Sequence, residues 1–506
     1  MAISRCGRAR HSANDDTIGS PSGRCRAAQR QVSALCKSSV ALESEAAGVP
    51  GLPFVGGMYV HEGAQIWLRL RRLLALALLL VAALLGDPAS AKDKTATDVD
   101  RPDTSQSEIR LGMSADFSAS ARALSIELYR GAMAYLLPFN NAGGVNGKRV
   151  VIKAYDDRYE PDLAIRNTLK LMDEDDVFAL FSYVGTPTMN RTLPLLQMRH
   201  DKHFLLLFPF TGADTNRIPP YDQLSFNLRA SYDQEMKGLI DHFVAINRTR
   251  IAVFYQADAY GRAGWGSLRE ALAEHGLEIA GEATYRRGSP FDQSYDRQVA
   301  IMQRLLPDAV VCVGTYSACA GFVRDMRNRD VDCPVATISF AGSGVMLKLL
   351  SAAGKESNKD YTSRLVSSQV VPHYNDDSVP AVREYREAMD RYRDAIMPPE
   401  YLLYPQGKTA EREYAPLPYG VISLEGYMNA KLFTAILQRM GTDPRRADLA
   451  ATALAMGDFD LGMGKPLSFG GDRARRQASD QVYYTVIRDG RFVPFSDVEW
   501  EAWAKR

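Results

Sequence analysis

The sequence lacks the features that mark several large classes of protein. Its 506 residues have a formal net charge of only +1. Residues 1–91 hold ten of the 61 basic and six of the 60 acidic side chains, so the remainder has a net charge of −3. Because nucleic-acid binding needs a concentrated basic face, this balance argues against nucleic acid as a partner. With 46% hydrophobic and 24% charged residues, the composition excludes disordered, collagen-like and polytopic membrane proteins.

Cysteine and histidine are also scarce. Of the six cysteines, only Cys312, Cys319 and Cys333 follow residue 91, so at least one thiol there stays free. Cys312 lies in an apolar run and is predicted to be a buried small side chain. A disulfide bond between Cys319 and Cys333 is one of the alternatives that the sequence leaves open. The seven histidines form no pair that suggests a metal site, and there is no C-x-x-C. We therefore predict neither a metal nor a cofactor.

Catalytic motifs are missing as well. The glycines around Ser343 have the wrong spacing for a nucleophile elbow, and those within 260–266 have the wrong order for a dinucleotide fingerprint. Both stretches are predicted to be helix starts. No nucleophile and base stand at usable spacing, so the chain is predicted not to be an enzyme, and a hydrolase is the less favoured alternative.

A leader precedes the folded part. Three arginines within 69–72 are followed by the apolar run 73–85 and by Ala-Ser-Ala at 89–91, the order of a secretory signal. Thirteen helical residues span about 20 Å, less than the roughly 30 Å hydrocarbon layer, so a permanent anchor is the weaker interpretation. We expect export to the periplasm with a mature N-terminus at Lys92. The leader is divided into a non-native or disordered extension at 1–57, a signal peptide at 58–91 starting at Met58, and a polar linker at 92–106.

Strands and helices alternate after the linker. The apolar runs 109–113, 150–154, 177–181 and 204–208 predict buried strands, separated by helices at 121–140, 162–175 and 189–199. A second block predicts strands at 251–255, 277–284, 309–313 and 334–339 and helices at 236–244, 265–275, 295–305 and 318–329. Further helices are predicted at 382–392 and 421–439, a surface insertion at 398–418, and a terminal hairpin at 482–494. This order predicts an α/β protein with two mostly parallel sheets, each flanked by helices.

Several motifs then resemble those of a known family. Asn140-Asn141-Ala142-Gly143-Gly144-Val145-Asn146-Gly147 ends the first helix, and Phe208-Pro209-Phe210-Thr211-Gly212-Ala213, Asp258-Ala259-Tyr260-Gly261 and Val313-Gly314-Thr315-Tyr316 follow later. In this order they resemble the type I periplasmic solute-binding proteins, in particular the leucine/isoleucine/valine-binding group. The resemblance covers residues 109–488.

The resemblance implies a two-lobed type I periplasmic binding fold with three crossover strands. One lobe would contain residues 107–228 and 372–466, and the other 229–371 and 467–506. The crossings are expected at 225–229, 365–371 and 467–470. A ligand would bind between the lobes, in agreement with the rule that parallel sheets bind ligands beyond the carboxyl ends of their strands.

The loops at those strand ends supply the candidate ligand-binding residues. By resemblance, the Thr186 hydroxyl and backbone N–H groups near Thr211 and Gly212 would hold a carboxylate. Aromatic walls and loop residues complete the set, which is Phe117, Ser118, Tyr183, Gly185, Thr186, Phe210, Thr211, Gly212, Tyr232, Tyr316 and Phe340. Amino-acid-binding members usually have an acid after the strand at 334–339, but Ala341 stands here. The family's disulfide is absent too, since Tyr159 and Val184 occupy the expected cysteine positions.

These features predict an extracytoplasmic receptor for a small polar or carboxylate-bearing ligand. Its partner would be the membrane permease of an ABC importer. The alternative on the same scaffold is a sensory receptor for a membrane kinase or cyclase.

Overall fold

A computed structural model describes residues 107–398, 414–470 and 476–504. The predicted extension, signal peptide and linker lie outside these residues. No helix among the described residues is long and apolar enough to cross a membrane.

The first sheet has five strands, and all of its pairings are parallel. They are β1 (Glu108–Ala115), β2 (Arg149–Asp156), β3 (Ala179–Phe181), β4 (Leu206–Leu207) and β5 (Ser225–Phe226), in the spatial order β2-β1-β3-β4-β5. The strands β3, β4 and β5 are buried at every residue, as expected of a parallel sheet covered on both faces.

The second sheet has seven strands. They are β6 (Ile251–Gln256), β7 (Gly281–Tyr285), β8 (Ala309–Val313), β9 (Val335–Thr337), β10 (Leu365–Gln369), β11 (Tyr483–Arg488) and β12 (Arg491–Pro494). Their order is β12-β11-β10-β9-β8-β6-β7, and only the pairings of β11 are antiparallel. Arg488 pairs with Arg491, and Asp489 and Gly490 between them have φ angles of +50° and +69°, so the predicted hairpin is confirmed. The two mostly parallel sheets confirm the predicted fold class.

Twelve α-helices are described. They are α1 (Arg122–Asn141), α2 (Pro161–Asp173), α3 (Thr186–Met198), α4 (Tyr232–Ala245), α5 (Ala259–Ala273), α6 (Asp296–Leu305), α7 (Tyr316–Asn328), α8 (Ser343–Ser357), α9 (Pro380–Tyr392), α10 (Val421–Met440), α11 (Arg446–Leu454) and α12 (Asp497–Ala504). Two of them begin earlier than predicted because side chains cap them. Ser231 and Gln234 form a reciprocal capping box at α4, and the Asp258 carboxylate accepts N–H groups from the first turn of α5.

Other elements differ from the prediction for local reasons. The strand at 204–208 shortens to β4 because Phe208 has a φ of +53°, which ends the extended backbone. Helices α11 and α12 were not predicted, and for α8 only the helix start around Ser343 was predicted. Helix α8 buries only Ser343, Val345, Met346 and Leu350, so its apolar stripe is too narrow to mark a helix by periodicity.

The predicted surface insertion is only partly at the surface where the structure describes it, since Ala415 and Pro418 are exposed but Tyr414 is buried. Residues 399–413 lie outside the described part, but Tyr414 is only 8% exposed. Its hydroxyl donates a hydrogen bond to Glu127 on α1 at 2.6 Å, and the Leu417 N–H donates to the same carboxylate at 2.8 Å. This stretch therefore packs against α1 because a buried carboxylate holds it.

Helices α1 and α10 pack at close range through two glycines. A Cβ on Gly131 of α1 would lie 1.7 Å from the Ser423 carbonyl oxygen, and a Cβ on Gly426 of α10 would lie 2.0 Å from that of Leu128. Each helix thus presses its backbone against a glycine of the other. Helix α10 follows β10 of the second sheet, whereas α1 follows β1 of the first sheet. This contact therefore brings the chain after β10 back to the first sheet.

Residues of two predicted crossings, Phe226 and Phe469, have their rings edge to face at 5.0 Å. The backbone partner of the first crossing lies further along the chain, since Ala478 donates its N–H to the Asn227 carbonyl at 2.8 Å. The third predicted crossing begins as β10, a strand of the second sheet.

The three described cysteines are free. Cys312 and Cys319 are buried and Cys333 is half-buried. The structure contains no bridge between Cys319 and Cys333, and the predicted burial of Cys312 is confirmed.

Candidate functional site

The loop after β1 is shaped by a buried carboxylate. Asp116 accepts hydrogen bonds from the N–H groups of Ser118, Ala119 and Ala121 at 3.1, 2.6 and 2.7 Å. Burial raises the pKa of Asp116 to about 6, although the N–H donors lower it. The Phe117 N–H and the Ser118 hydroxyl both donate to the carboxylate of Asp156, the last residue of β2, at 2.8 and 2.5 Å. In this structure the Ser118 hydroxyl therefore holds the loop in place.

Three of the candidate hydroxyl groups lie together. The Thr186 and Thr211 Oγ1 atoms are 2.7 Å apart, and Thr211 Oγ1 lies 3.5 Å from the Tyr232 hydroxyl. Thr186 begins α3 after β3, Thr211 follows β4, and Tyr232 begins α4, which precedes the second sheet. All three residues are at most 1% exposed. Buried hydroxyls at a helix start can donate to a carboxylate.

A cluster of aromatic rings adjoins these hydroxyls. We call Tyr159, Phe210, Tyr232, Tyr260 and Phe340 the aromatic cluster. The Phe340 ring centroid lies 4.5 Å from that of Tyr260, 5.3 Å from that of Phe210 and 6.4 Å from that of Tyr159. Phe340 follows β9 of the second sheet, whereas Phe210 and Tyr159 follow strands of the first. The cluster therefore joins loops at the carboxyl ends of both sheets.

Two glycines allow the tyrosines of this cluster to approach the backbone. A Cβ on Gly185 would lie 2.2 Å from the Tyr159 ring, and Gly185 has a φ of +103°. A Cβ on Gly212 would lie 2.4 Å from the Tyr232 ring. In this structure both candidate glycines are therefore required by close packing.

The remaining candidates lie at the margin of the cluster or away from it. The Phe117 ring meets Tyr129 edge to face at 6.3 Å, and Tyr316 is 8% exposed near Asp116. Tyr183 does not join the group. Its hydroxyl lies 2.9 Å from Thr168 Oγ1 of α2, and its ring belongs to a separate apolar core with Leu171 and Leu193. Tyr183 is therefore a packing residue in this structure.

Sequence reasoning missed Tyr159 and Tyr260 as members of the cluster. Tyr260 was in a motif of the resemblance and follows β6, so the rule of strand ends could have found it. Tyr159 has a φ of +59°, and this backbone conformation turns its ring toward Gly185. No sequence pattern indicates that turn.

A buried ionic network lies behind the aromatic cluster. Arg229 is 1% exposed, and its guanidinium carbon lies 4.7 Å from the Phe210 ring centroid. Its nitrogens lie 3.5 Å from Glu235 on α4 and 3.5 Å from Glu425 on α10, and it donates to the Ser339 hydroxyl. Burial opposes the charge of Arg229, but the two carboxylates outweigh this and raise its pKa. Burial raises the pKa of Glu425 to about 7, although Arg229 lowers it.

A partly exposed arginine also joins the loops of the two sheets through ion pairs. Arg287 after β7 lies 2.9 Å from Glu160 after β2 and 3.3 Å from Asp258. Among the described residues, no group of three His, Cys, Asp or Glu side chains could hold a metal ion. The arrangement offers hydroxyl donors, aromatic walls and paired charges, which are the elements of a binding site.

Comparisons with known proteins agree with the fold. A sequence profile described as "Periplasmic binding protein" matches residues 108–491. A solved structure of a "possible leucine/isoleucine/valine-binding protein" from Rhodopirellula baltica is 28% identical, with a TM-score of 0.68 over 79% of this chain and 100% of that one. A branched-chain amino acid ABC transporter protein from Thermus thermophilus, solved with bound valine, shares the fold at 15% identity, with a TM-score of 0.64 over 77% of this chain and 96% of that one.

A curated relative supports the same relationship at lower coverage. An "Amino acid binding protein" from Pseudomonas aeruginosa is 22% identical over 44% of this chain and 58% of its own length. The chain thus spans little more than half the length of this relative. The profile match covers most of the present sequence, and the chain belongs to the periplasmic binding protein family.

Proposed function

We propose that the chain is the solute-binding component of an ABC importer. It is exported to the periplasm after cleavage behind residue 91 and delivers its ligand to a membrane permease. The ligand is a small carboxylate or neutral polar molecule. It binds between one lobe of residues 107–228 and 372–466 and another of residues 229–371 and 467–506.

The observation that carries this proposal is the hydroxyl group of Thr186, Thr211 and Tyr232 beside the aromatic cluster. Hydroxyl donors at the start of α3 suit a carboxylate or a polar oxygen, and the rings suit an apolar body. Because the groups come from loops of both sheets, a ligand held by them favours the closed arrangement through its differential affinity. The names of the relatives from Rhodopirellula and Pseudomonas favour ligands of amino-acid size.

The ligand class can be tested by comparing valine with isovalerate, which has the same carbon skeleton without the ammonium. The loop after β9 offers Phe340 and Ala341, both fully buried, and no acid to pair an ammonium. We expect isovalerate to bind more tightly in calorimetry and to raise the melting temperature more. A ligand at a hundred times its dissociation constant adds about 2.7 kcal/mol to the free energy of unfolding, which gives a clear shift. Tighter binding of valine would identify an amino-acid receptor instead.

Loss of one hydroxyl should weaken ligand binding. Thr186→Ala should reduce the binding free energy of isovalerate by roughly 1 to 3 kcal/mol, because a charged group loses a donor in a buried site. Tyr316→Ala should also weaken binding through lost apolar area. The matched control is Thr192→Ala in the same helix. It removes a buried hydroxyl that donates to the Met189 carbonyl at 2.8 Å.

Calorimetry on these variants and on the exposed Arg439→Ala provides the measurement. The two controls should bind as the native chain does, and saturating ligand should make the protein more compact in small-angle scattering. Equal affinities for all variants, or no compaction, would refute binding between the lobes.

A further inference from the structure

Tyr159 and Arg287 cover one edge of the aromatic cluster. The Tyr159 ring lies 6.4 Å from that of Phe340, and a Cβ on Gly185, the residue before Thr186, would lie 2.2 Å from it. The Arg287 guanidinium carbon lies 5.8 Å from the centroid of the same ring. Phe340 and Tyr159 are at most 1% exposed, whereas the Arg287 side chain is 24% exposed. Tyr159 therefore lies between the buried rings and a side chain that reaches the solvent.

The loop that carries Tyr159 is anchored at one end and strained at its centre. Asp157 is fully buried and accepts hydrogen bonds from the Ser114 hydroxyl and the Tyr159 N–H, at 2.8 and 2.9 Å. The next two residues, Arg158 and Tyr159, have φ angles of +54° and +59°. Bulky side chains are rare in this left-handed region, and such a conformation persists only where its surroundings hold it. The position of the Tyr159 ring therefore depends on the contacts that the ring and Glu160, the next residue, make.

An ion pair from the second sheet holds this loop. Arg287 follows β7, and its guanidinium lies 3.3 Å from Asp258 after β6 and 2.9 Å from Glu160 after β2. Asp258 is fixed on its own side, because it also accepts the Gln256 side-chain N–H at 2.7 Å and caps α5. If the two loops separate, Arg287 can stay paired with Asp258 and loses its ion pair with Glu160. The Glu160 side chain is 56% exposed, and an ion pair of this kind contributes little to stability, so it breaks readily.

We propose, on the basis of the proposed function, that Tyr159 is the gate of the ligand site and that the ion pair between Arg287 and Glu160 keeps this gate closed. Opening breaks the ion pair and withdraws the Tyr159 ring from Phe340 and Gly185. The ligand then passes to the candidate hydroxyls. Because the gate closes over an empty and a filled site alike, Arg287 slows the entry and the release of the ligand by the same factor. Arg287 is thus a positioning residue that does not touch the ligand.

The test measures opening of the gate in the ligand-free mature chain. Thr211→Cys places a reporter thiol at a fully buried position, and its rate of alkylation by iodoacetamide reports how often the site opens. Peptide mass spectrometry distinguishes this thiol from the native ones. Adding Arg287→Gln should raise the rate about two- to fivefold, the range that a partly exposed ion pair supports, and Arg287→Lys should restore part of the protection. Tyr159→Asn, a side chain that tolerates positive φ, should raise the rate at least about tenfold, because a buried ring contributes more than the ion pair.

Two controls separate opening of the gate from other effects. Glu160→Gln should raise the alkylation rate by itself but have no additional effect beside Arg287→Gln, since both remove the same ion pair. Arg286→Gln is the matched control, because it removes the charge of the neighbouring, exposed arginine. The buried Cys312 in β8 is an internal control whose alkylation should stay slow in every variant. Equal rates at the reporter thiol for Arg287→Gln and Arg286→Gln would overturn the gate, and so would a parallel rise at Cys312, which would indicate unfolding.

Isovalerate distinguishes failure of the gate from failure of the proposed function. In the chain without the reporter thiol, its on-rate and off-rate, measured from NMR line shapes, should both rise about two- to fivefold with Arg287→Gln, while the Kd stays within about twofold. A change in the off-rate alone would make Arg287 a ligand contact and overturn the gate. If isovalerate does not bind, the proposed ligand class is wrong and the alkylation rates decide the gate. If isovalerate binds and the alkylation rates do not differ, the gate is wrong and the proposed function stands.

Discussion

Replacing Arg229 with methionine should lower the free energy of unfolding by about 3 to 5 kcal/mol at pH 8. The guanidinium lies 3.5 Å from the carboxylates of both Glu235 and Glu425, and all three residues are at most 3% exposed. Glu235 keeps hydrogen bonds from Ser339 and Ser368. For Glu425, the contact described is its ion pair with Arg229. We therefore expect most of the lost free energy of unfolding to come from the Glu425 carboxylate, which loses its paired charge.

The effect of this substitution should depend on pH. The pKa of Glu425 is raised from 4.5 to about 7, so the folded state keeps a proton that the unfolded state loses within this interval. The free energy of unfolding attributable to Glu425 therefore falls as the pH rises from about 4.5 to about 7. Arg229 lowers that pKa. Without it the pKa rises further, and the loss of stability continues to higher pH.

Urea unfolding of the native chain and Arg229→Met at pH 5 and pH 8 measures this difference. The loss should be smaller at pH 5, and adding Glu425→Gln should recover part of it at pH 8. Arg445→Met is the control, because its pair with Asp448 is exposed and worth less than about 1 kcal/mol. An Arg229→Met variant as stable as the native chain at pH 8 would show that the network contributes nothing.

Substituting alanine for Gly131 should lower the free energy of unfolding by at least about 3 kcal/mol. Helix propensity alone predicts the opposite sign. Alanine is normally favoured over glycine within a helix by about 1 kcal/mol. At Gly131, however, the added Cβ would lie 1.7 Å from the carbonyl oxygen of Ser423. That oxygen belongs to the backbone of α10, so the overlap is relieved only if the two helices move apart and lose their packing.

The same argument applies to Gly426, whose Cβ would lie 2.0 Å from the Leu128 carbonyl oxygen. Gly266→Ala is the matched control, since it is also within a helix but has open space around its Cβ. It should stabilise the chain by about 1 kcal/mol. Thermal and urea unfolding of the three variants gives the comparison, and a neutral or stabilising effect at Gly131 would contradict the close packing of α1 and α10.

The sequence allowed most of the fold to be predicted because buried parallel strands are short continuous apolar runs. The runs at 109–113, 251–255 and 309–313 lie within β1, β6 and β8. Ends of elements were less accurate where a capping side chain or a left-handed residue decides them, as at Ser231 and Phe208. Long-range hydrogen bonds leave no local pattern, so the packing of Tyr414 on Glu127 could not be foreseen.

The candidate site was predictable to the extent that strand ends determine it. Thr186, Thr211, Phe210 and Phe340 follow strands and come together. Tyr183 follows β3 as well, but its side chain points into the core with Leu171. Neighbouring residues of an extended loop alternate in direction, and the sequence does not specify which face each one takes.

The free thiols bear on how the protein can be prepared. Because Cys312, Cys319 and Cys333 are all unbridged, we expect the described part of the chain to have the same covalent structure in a reducing and in an oxidising compartment. Its folding therefore requires no disulfide-forming catalyst. Protein produced in a reducing cytoplasm is covalently equivalent, over these residues, to protein recovered after export, and either source can supply the binding experiments.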